Sequence, residues 1–227
     1  MNAWNNFKQF ITDIVFPKYC LVCDFKIDEN EEFDYLCGKC FIKIRQIKIK
    51  PFENRYLTRV LYYGSYADKN LQNIIRSLKY RFIKTLSIPL GYLEAYILEE
   101  NGIEKLIRTP TIITFIPLHP LKEQWRGFNQ SELLANYLGN HFSIPVIPLL
   151  KRKYFTPAQA NINEKYKKKN IKNVFSLQQD LLSGTKFPNI NILLIDDVFT
   201  TGSTITEAAK ILCKAGFKNI WGITAAG

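Results

Sequence analysis

Four of the five cysteines fall in two C-x2-C pairs, Cys20/Cys23 and Cys37/Cys40, separated by thirteen residues. A C-x2-C turn presents two thiolates to one tetrahedral ion, and two such turns complete a four-thiolate shell. The chemistry indicated is a structural zinc ion (Zn2+), because a closed shell leaves no position for a catalytic water. Two disulfides would need an oxidising compartment, and nothing from Met1 to Val15 reads as a secretory signal. A redox C-x2-C is normally single, and iron–sulfur spacings differ. The thirteen-residue separation leaves room for a small ribbon, with Gly38 expected to give the second turn a positive φ. Cys213 stands alone in an apolar helical pattern and reads as core. Neither His119 nor His141 has metal-ligand spacing, so histidine-based catalysis is poorly supplied, and His141 reads as a helix-end residue.

A second constellation follows the apolar run Asn191–Ile195. Asp196 and Asp197 come at its carboxyl end, which is where open α/β sheets bind ligands. Thr200, Thr201, Gly202, Ser203 and Thr204 then lead into a helix. A helix start with a glycine and several hydroxyls is a phosphate cradle. The adjacent carboxylates can accept hydrogen bonds from a vicinal diol and help hold Mg2+. Ribose 5-phosphate carries both groups at the required separation. G-x-x-x-x-G-K-[ST] and G-x-G-x-x-G are both absent, so this is neither of the common nucleotide loops. An ordinary helix cap is a poor account, since two carboxylates ending an apolar strand are costly without partners. They are expected to repel each other in the empty site, so that neutralising both costs the fold little. Upstream, Arg126–Gln130 (RGFNQ) offers a turn at Gly127, amides at Asn129 and Gln130 near a helix start, and Arg126 as an anion clamp.

The elements that must position these groups alternate. Trp4, Phe7, Phe10, Ile11, Ile14 and Val15 predict an amphipathic helix over 3–16, ended by Pro17. Residues 18–50 read as the metal ribbon and its exit, where Ile42 to Ile49 alternates with basic residues. Strands are expected at 56–66, 111–118, 146–150, 174–177, 191–195 and 220–225. Helices are expected at 70–80, 86–100, 130–138 and 203–214, the last ended by Gly216. Leu118 to Lys122 reads as a loop. The alternation argues for an α/β body with a mostly parallel sheet flanked by helices over 51–227, preceded by a ribbon module over 1–50.

Hydrophobic residues make up 47% and charged residues 22% of the 227, a globular composition with no run long enough for a membrane span. Charge is uneven: residues 1–40 hold 4 Lys/Arg and 7 Asp/Glu, whereas 41–227 hold 27 and 13, behind a net +11. A basic body suits a polyanionic partner. Basic stretches at 43–59, 69–84 and 151–172 carry Tyr56, Tyr80 and Phe82 among them, with Tyr62, Tyr63 and Tyr66 between. That interleaving suits single-stranded DNA, although most of these aromatics are expected in the core. Solubility alone would also account for the charge.

IDDVFTTGST resembles the PRPP-binding signature of type I phosphoribosyltransferases. Within that superfamily the chain resembles the ComF (ComFC-type) family, associated with bacterial competence for DNA uptake. The ribbon, the P-L-H element with R-G-F-N-Q (117–130), and Gln159, Asn170 and Phe175 carry the likeness over residues 18–225. It implies a phosphoribosyltransferase-like fold and a cytoplasmic protein, with a place at the cytoplasmic face of the inner membrane and a DNA-uptake helicase as a partner. It implies that Asp196 and Asp197 bind the ribose hydroxyls of PRPP, with Mg2+, and that Thr200 to Thr204 hold its 5-phosphate. His119, Lys122, Arg126 and Lys167 are then candidate pyrophosphate contacts, and 151–173 is the flexible loop over that group. Two departures stand out. Lys167 replaces an arginine and loses its fork. Thr200 stands where oxopurine enzymes of this fold place an aspartate. The last strand follows soon after the phosphate-binding helix, and no base-recognition hood is legible. Two other classes stay open: a true phosphoribosyltransferase acting on an unidentified amine or base, and a metal-ribbon adaptor that only senses PRPP.

Overall fold

The structure is a computed structural model and describes residues 17–28, 30–45, 52–154, 173–178 and 189–227. The expected helix at 3–16, Lys167 and most of the loop at 151–173 lie outside them.

Helix α1 (Gly38–Arg45) closes the cysteine module. Strands β1 (Phe52–Asn54) and β2 (Leu57–Gly64) follow as an antiparallel hairpin. Then come α2 (Lys69–Tyr80), α3 (Ser87–Glu100), α4 (Ile103–Ile107) and β3 (Thr111–Phe115). Helices α5 (Pro120–Arg126) and α6 (Gln130–Phe142) lead to β4 (Leu150–Arg152) and β5 (Phe175–Leu177). The chain continues through β6 (Asn191–Val198), α7 (Ser203–Lys214) and β7 (Asn219–Ala226). The main sheet runs β1-β2-β7-β6-β3, with the last four strands parallel. β6 is an interior strand, between β7 and β3, and its apolar run is buried on both sides as a parallel strand requires.

Local chemistry sets the differences from expectation. The strand expected at 146–150 shrinks to one parallel bridge from Val146 to Ile113, because Pro148 has no N–H to continue a ladder. Leu150–Arg152 pairs instead with Phe175–Leu177 in a separate two-stranded sheet. The loop expected at 118–122 becomes α5, with His119 as its N-cap and Pro120 in the first turn. Helix α6 runs four residues beyond 138, which puts His141 in its last turn.

One core lies between the sheet and α2, α3 and α6, holding Leu61, Tyr63, Leu78, Leu90, Leu193 and Ile195. The opposite face is covered by α7 through Ile205, Ala208, Ala209 and Leu212. Gly222 on β7 lets α7 come close: a Cβ there would lie 2.6 Å from Ile205 Cδ1 and 3.2 Å from Val60 Cγ2. That approach seats the N-terminus of α7 beside the end of β6. Gly222→Val should therefore destabilise the fold by roughly 1–3 kcal/mol, read as a lower urea midpoint at unchanged slope. An unchanged midpoint would show that α7 does not need this contact.

Candidate functional site

The four cysteines meet. Their sulfurs all lie within 4.8 Å of one another, and Cys23 Sγ is 3.7 Å from Cys37 Sγ. Zn–S bonds of about 2.3 Å in a tetrahedron place sulfurs about 3.8 Å apart, so the donor set fits an ion such as zinc. None of the four forms a disulfide, and Cys20, Cys37 and Cys40 are buried and Cys23 exposed. Burial resists ionisation of Cys20, but the N–H groups of Cys37, Val22 and Cys23 outweigh it and draw the thiol down to about 7. Burial, and then the neighbouring sulfurs, raise Cys40 above the ordinary thiol value. The turns differ from expectation at Gly38. It opens α1 and donates its N–H to Glu31 Oε2 at 2.7 Å, while Asp24 and Tyr35 take the positive φ values. The helix start supplies the second turn, so no left-handed residue is needed inside that pair.

The module is fastened to the body through α3. Phe33 and Phe41 pack on each other and both meet Tyr92 edge-on, at 6.4 and 5.5 Å. Asn73 of α2 donates to Leu21 O at 2.7 Å. We expect one zinc per chain by elemental analysis. Cys37→Ser should lose the metal and expose the Phe33–Phe41 face, raising hydrophobic-dye binding while the sheet body stays folded. Metal-free wild type that keeps the wild-type melting curve would contradict this.

The second site is built at the end of β6. Asp196 and Asp197 are both buried, 7% and 4% exposed. Asp197 Oδ2 is 2.7 Å from Lys79 Nζ, in the last turn of α2, with side chains only 6% and 17% exposed. Asp196 Oδ1 accepts from Ser131 Oγ and from the Asp197 N–H, each at 3.0 Å. Burial, and then the Asp197 charge, raise the Asp196 carboxyl to about 7. Burial works against the Lys79 ammonium, but Asp197 and Asp196 outweigh it and hold its pKa above the lysine norm. A third acid, Glu94 of α3, is fully buried, and neither carboxyl oxygen has a hydrogen-bond partner among the described residues. Burial, with Asp197 and Asp196 behind it, pushes the Glu94 carboxyl well above the carboxylate range.

This overturns the expectation that neutralising both carboxylates costs the fold little. Asp197 is half of a buried ion pair, and removing its charge strands Lys79, a loss of roughly 3–5 kcal/mol.

Cations converge on the pair from separate elements. Arg126 is 4% exposed, donates through Nη1 to Gln130 Oε1 and lies 5.7 Å over the Tyr80 ring. Burial lowers the Arg126 pKa, and Asp197 opposes it. Its Nε is buried and has no hydrogen-bond partner among the described residues. Lys122 is lowered first by burial and then by Arg126, Arg152 and Lys79. Arg152 is lowered by burial, with Asp196 acting against the shift. Asn129 holds this corner: Nδ2 donates to Ile116 O at 3.0 Å and Oδ1 caps α6 at Ser131 N. Gly127 turns the chain at φ 76, as the spacing predicts. His119 spends Nδ1 as the α5 cap, 3.3 Å from Leu121 N.

The loop after β6 completes the site. Gly202 caps α7 at φ 69 and has no side chain to bond the first turn, while Ser203 N donates to Thr201 Oγ1 at 3.4 Å. A Cβ there would also meet the Phe199 ring at 2.7 Å, so the position demands glycine. Thr200 and Thr201 are exposed and Ser203 and Thr204 half-buried. Thr201 Oγ1 lies 2.8 Å from Ser203 Oγ. Lys79, Glu94, Ser131 and Arg152 are the site residues that sequence reasoning missed. Cys213 lies half-buried at the rim of the α7 core.

No protein-family model matches the sequence. The chain is 37% identical over 214 residues to competence protein F of Haemophilus influenzae, covering 93% of this chain and 86% of that protein. The chain belongs to the competence protein F family. The DNA utilization protein YhgH of Salmonella typhimurium is 32% identical over 114 residues, 48% of this chain and 46% of that one. Competence protein ComFC of Bacillus subtilis is 36% identical over 108 residues, 46% and 39%. A solved structure of the allosteric regulatory enzyme of purine biosynthesis matches with 13% identity and a TM-score of 0.38, covering 62% of this chain and 26% of that one. Among the described residues of this ComF-family chain, no helix is long and apolar enough to cross a membrane.

Asp196 makes stability pH-dependent. Its folded pKa is raised from 3.8 to about 7, so its contribution is complete below about pH 4 and is lost as pH rises to 7. Asp196→Asn keeps the Oδ1 acceptor for Ser131 and Asp197 N–H. At pH 8 the variant should be more stable than wild type by roughly 1–3 kcal/mol, with the advantage gone at pH 4. Comparing the two proteins at each pH cancels thiol titration. Parallel stability curves would mean that Asp196 is ionised in the fold.

Proposed function

We propose that this ComF-family chain binds PRPP with Mg2+ and supports uptake of transforming DNA, with single-stranded DNA as its second ligand. The observation that carries the reading is the buried Asp196–Asp197 pair beside the Gly202–Ser203 helix start, surrounded by Lys79, Lys122, Arg126 and Arg152. In this reading the pair accepts from the ribose hydroxyls and Thr200 to Thr204, with the first N–H groups of α7, hold the 5-phosphate. Lys122, Arg126 and Arg152 face the pyrophosphate. Arg126 Nε, without a hydrogen-bond partner among the described residues, is a buried donor that suits such an anion. His119, already a cap, and Lys167 complete the candidate contacts. Mg2+ would neutralise pyrophosphate charge, with the Asp pair as the nearby protein oxygens. Zinc is structural and anchors the ribbon to α3. The names of the Haemophilus and Salmonella relatives, competence and DNA utilization, support the cellular role. The place of action is the cytoplasm, at the inner face of the membrane, alongside an uptake helicase.

A second reading, transfer of ribose 5-phosphate to an unidentified amine or base, is favoured by one observation. A cleft of about 370 Å3 beside the cations is lined by Phe115, Leu118, Glu123, Glu132 and Arg152. Burial and then Glu123 raise the Glu132 carboxyl, a candidate base for an acceptor. The acceptor nitrogen would form a bond to the anomeric carbon as the bond to pyrophosphate breaks, and release of pyrophosphate would report it.

Titration calorimetry with PRPP and Mg2+ tests the first reading. Wild type should bind, and Asp196→Asn should weaken binding about tenfold or more, since hydrogen bonds to a charged acceptor are worth roughly 1.5–3 kcal/mol. The same variant, replacing the chromosomal copy, should lower transformation frequency. Unchanged affinity in Asp196→Asn refutes the site.

A further inference from the structure

We infer that Tyr80, Phe82 and Trp125 form a base-stacking platform for single-stranded DNA, flanked by cations that take the phosphates. This rests on the proposed DNA-binding role and assigns it a surface. The three rings are 50%, 41% and 64% exposed, and Leu121, one turn before Trp125 on α5, is 61% exposed. They come from two segments brought together by the fold, the end of α2 with its exit and helix α5. Phe82 and Trp125 meet edge-to-face at 5.3 Å, so each fixes the other with ring surface still in solvent. Phe82 sits at φ 58, a left-handed conformation that bulky residues rarely adopt. The backbone at this point holds an apolar ring outside the core.

The occupant is identified by charge. Residues 76–86 carry Arg76, Lys79, Arg81 and Lys84 and no acid, and Arg76, Arg81 and Lys84 are exposed. Arg76 precedes Tyr80 by four residues and so shares its helix face. Lys84 Nζ is 5.3 Å over the Phe128 ring and 3.4 Å from Gly127 O, at the corner that carries α5. Rings that accept a base face, alternating with cations one residue away, match the backbone and bases of a single strand. A purely apolar protein partner would leave these cations without counter-charge. The platform also borders the carboxylate site, because Tyr80 follows Lys79 and Trp125 precedes Arg126.

The test is an oligothymidylate titration of the full chain, at two salt concentrations, followed by anisotropy of the labelled strand and by tryptophan fluorescence. Wild type should bind with quenching, which Trp125→Phe removes while keeping most of the affinity. Phe82→Ala and Trp125→Ala should each weaken binding about tenfold at unchanged salt slope, because they remove stacking and no charge. Arg81→Ala and Lys84→Ala should each flatten the slope by about one contact. All four side chains are exposed, and PRPP titration of each variant checks that the neighbouring site is intact. If wild type binds and the two ring variants bind equally well, the platform is overturned, the DNA role survives elsewhere, and the patch faces a protein. If wild type binds no strand at low salt, the DNA role falls and the platform falls with it.

Discussion

The buried contact between Lys79 and Asp197 is the constraint on which the rest of this structure depends. Taking two charges out of water is costly, and their attraction offsets the cost only when the geometry is held. The 2.7 Å approach requires the last turn of α2 to lie against the carboxyl end of β6. The sheet order makes that possible: β2, which feeds α2, pairs with β7, and β7 pairs with β6. A charge pair thus joins an early helix to a late strand. Around it the balance is deliberate. Burial raises the Glu94 carboxyl well above the usual range and Asp196 to about 7, which reduces the anionic charge beside Asp197 and the cations Lys79, Lys122, Arg126 and Arg152. Cations gathered from three elements around such carboxylates favour an anion before any ligand-specific contact forms.

Helix α3 carries the second constraint. Tyr92 takes the edges of Phe33 and Phe41 from the cysteine module, and Glu94 lies two residues on, fully buried near the carboxylate pair. Metal affinity in such a module is folding free energy. Stability that a metal would add at the four thiolates would therefore reach the helix that carries Glu94 near the carboxylate pair, although the cysteines take no part in that pair. The short aromatic bridge through Tyr92 makes ribbon and sheet one continuous core.

What the sequence made legible was local. The C-x2-C pairs, the strand–DD–TTGST–helix unit and RGFNQ each place their chemistry within a few consecutive residues, and the structure assembles each at one place. The missed groups are scattered: Lys79, Glu94, Ser131 and Arg152 come from four elements. Two of them left a trace. Lys79 falls four residues after Ile75, and Glu94 four after Leu90, so each puts a charge on the apolar stripe of its helix. A charge in that position needs a buried partner or a shifted pKa: Lys79 has Asp197, and burial pushes the Glu94 carboxyl well above its usual range. Gly38 and α5 were misread for a different reason. A C-x2-C turn can be closed by a helix start as well as by a left-handed residue, and Pro120 reads as a breaker unless the histidine before it is recognised as a cap.

The net charge of +11 conceals two populations of cations that obey different physics. Lys79, Lys122, Arg126 and Arg152 are drawn from water to various degrees and feel the charge of Asp196 or Asp197, Lys79 at 2.7 Å. Salt screens such contacts weakly. Arg76, Arg81 and Lys84 stand in solvent beside exposed rings, where a Debye length of about 8 Å at physiological ionic strength screens all but their nearest partners. On the proposed function, the inner group selects a small, highly charged ligand by geometry. The outer group, on the same proposal, captures a long polyanion by numbers and releases it as salt rises. Because the two groups adjoin at Lys79–Tyr80 and Trp125–Arg126, one surface can present both without either set of charges serving two ligands.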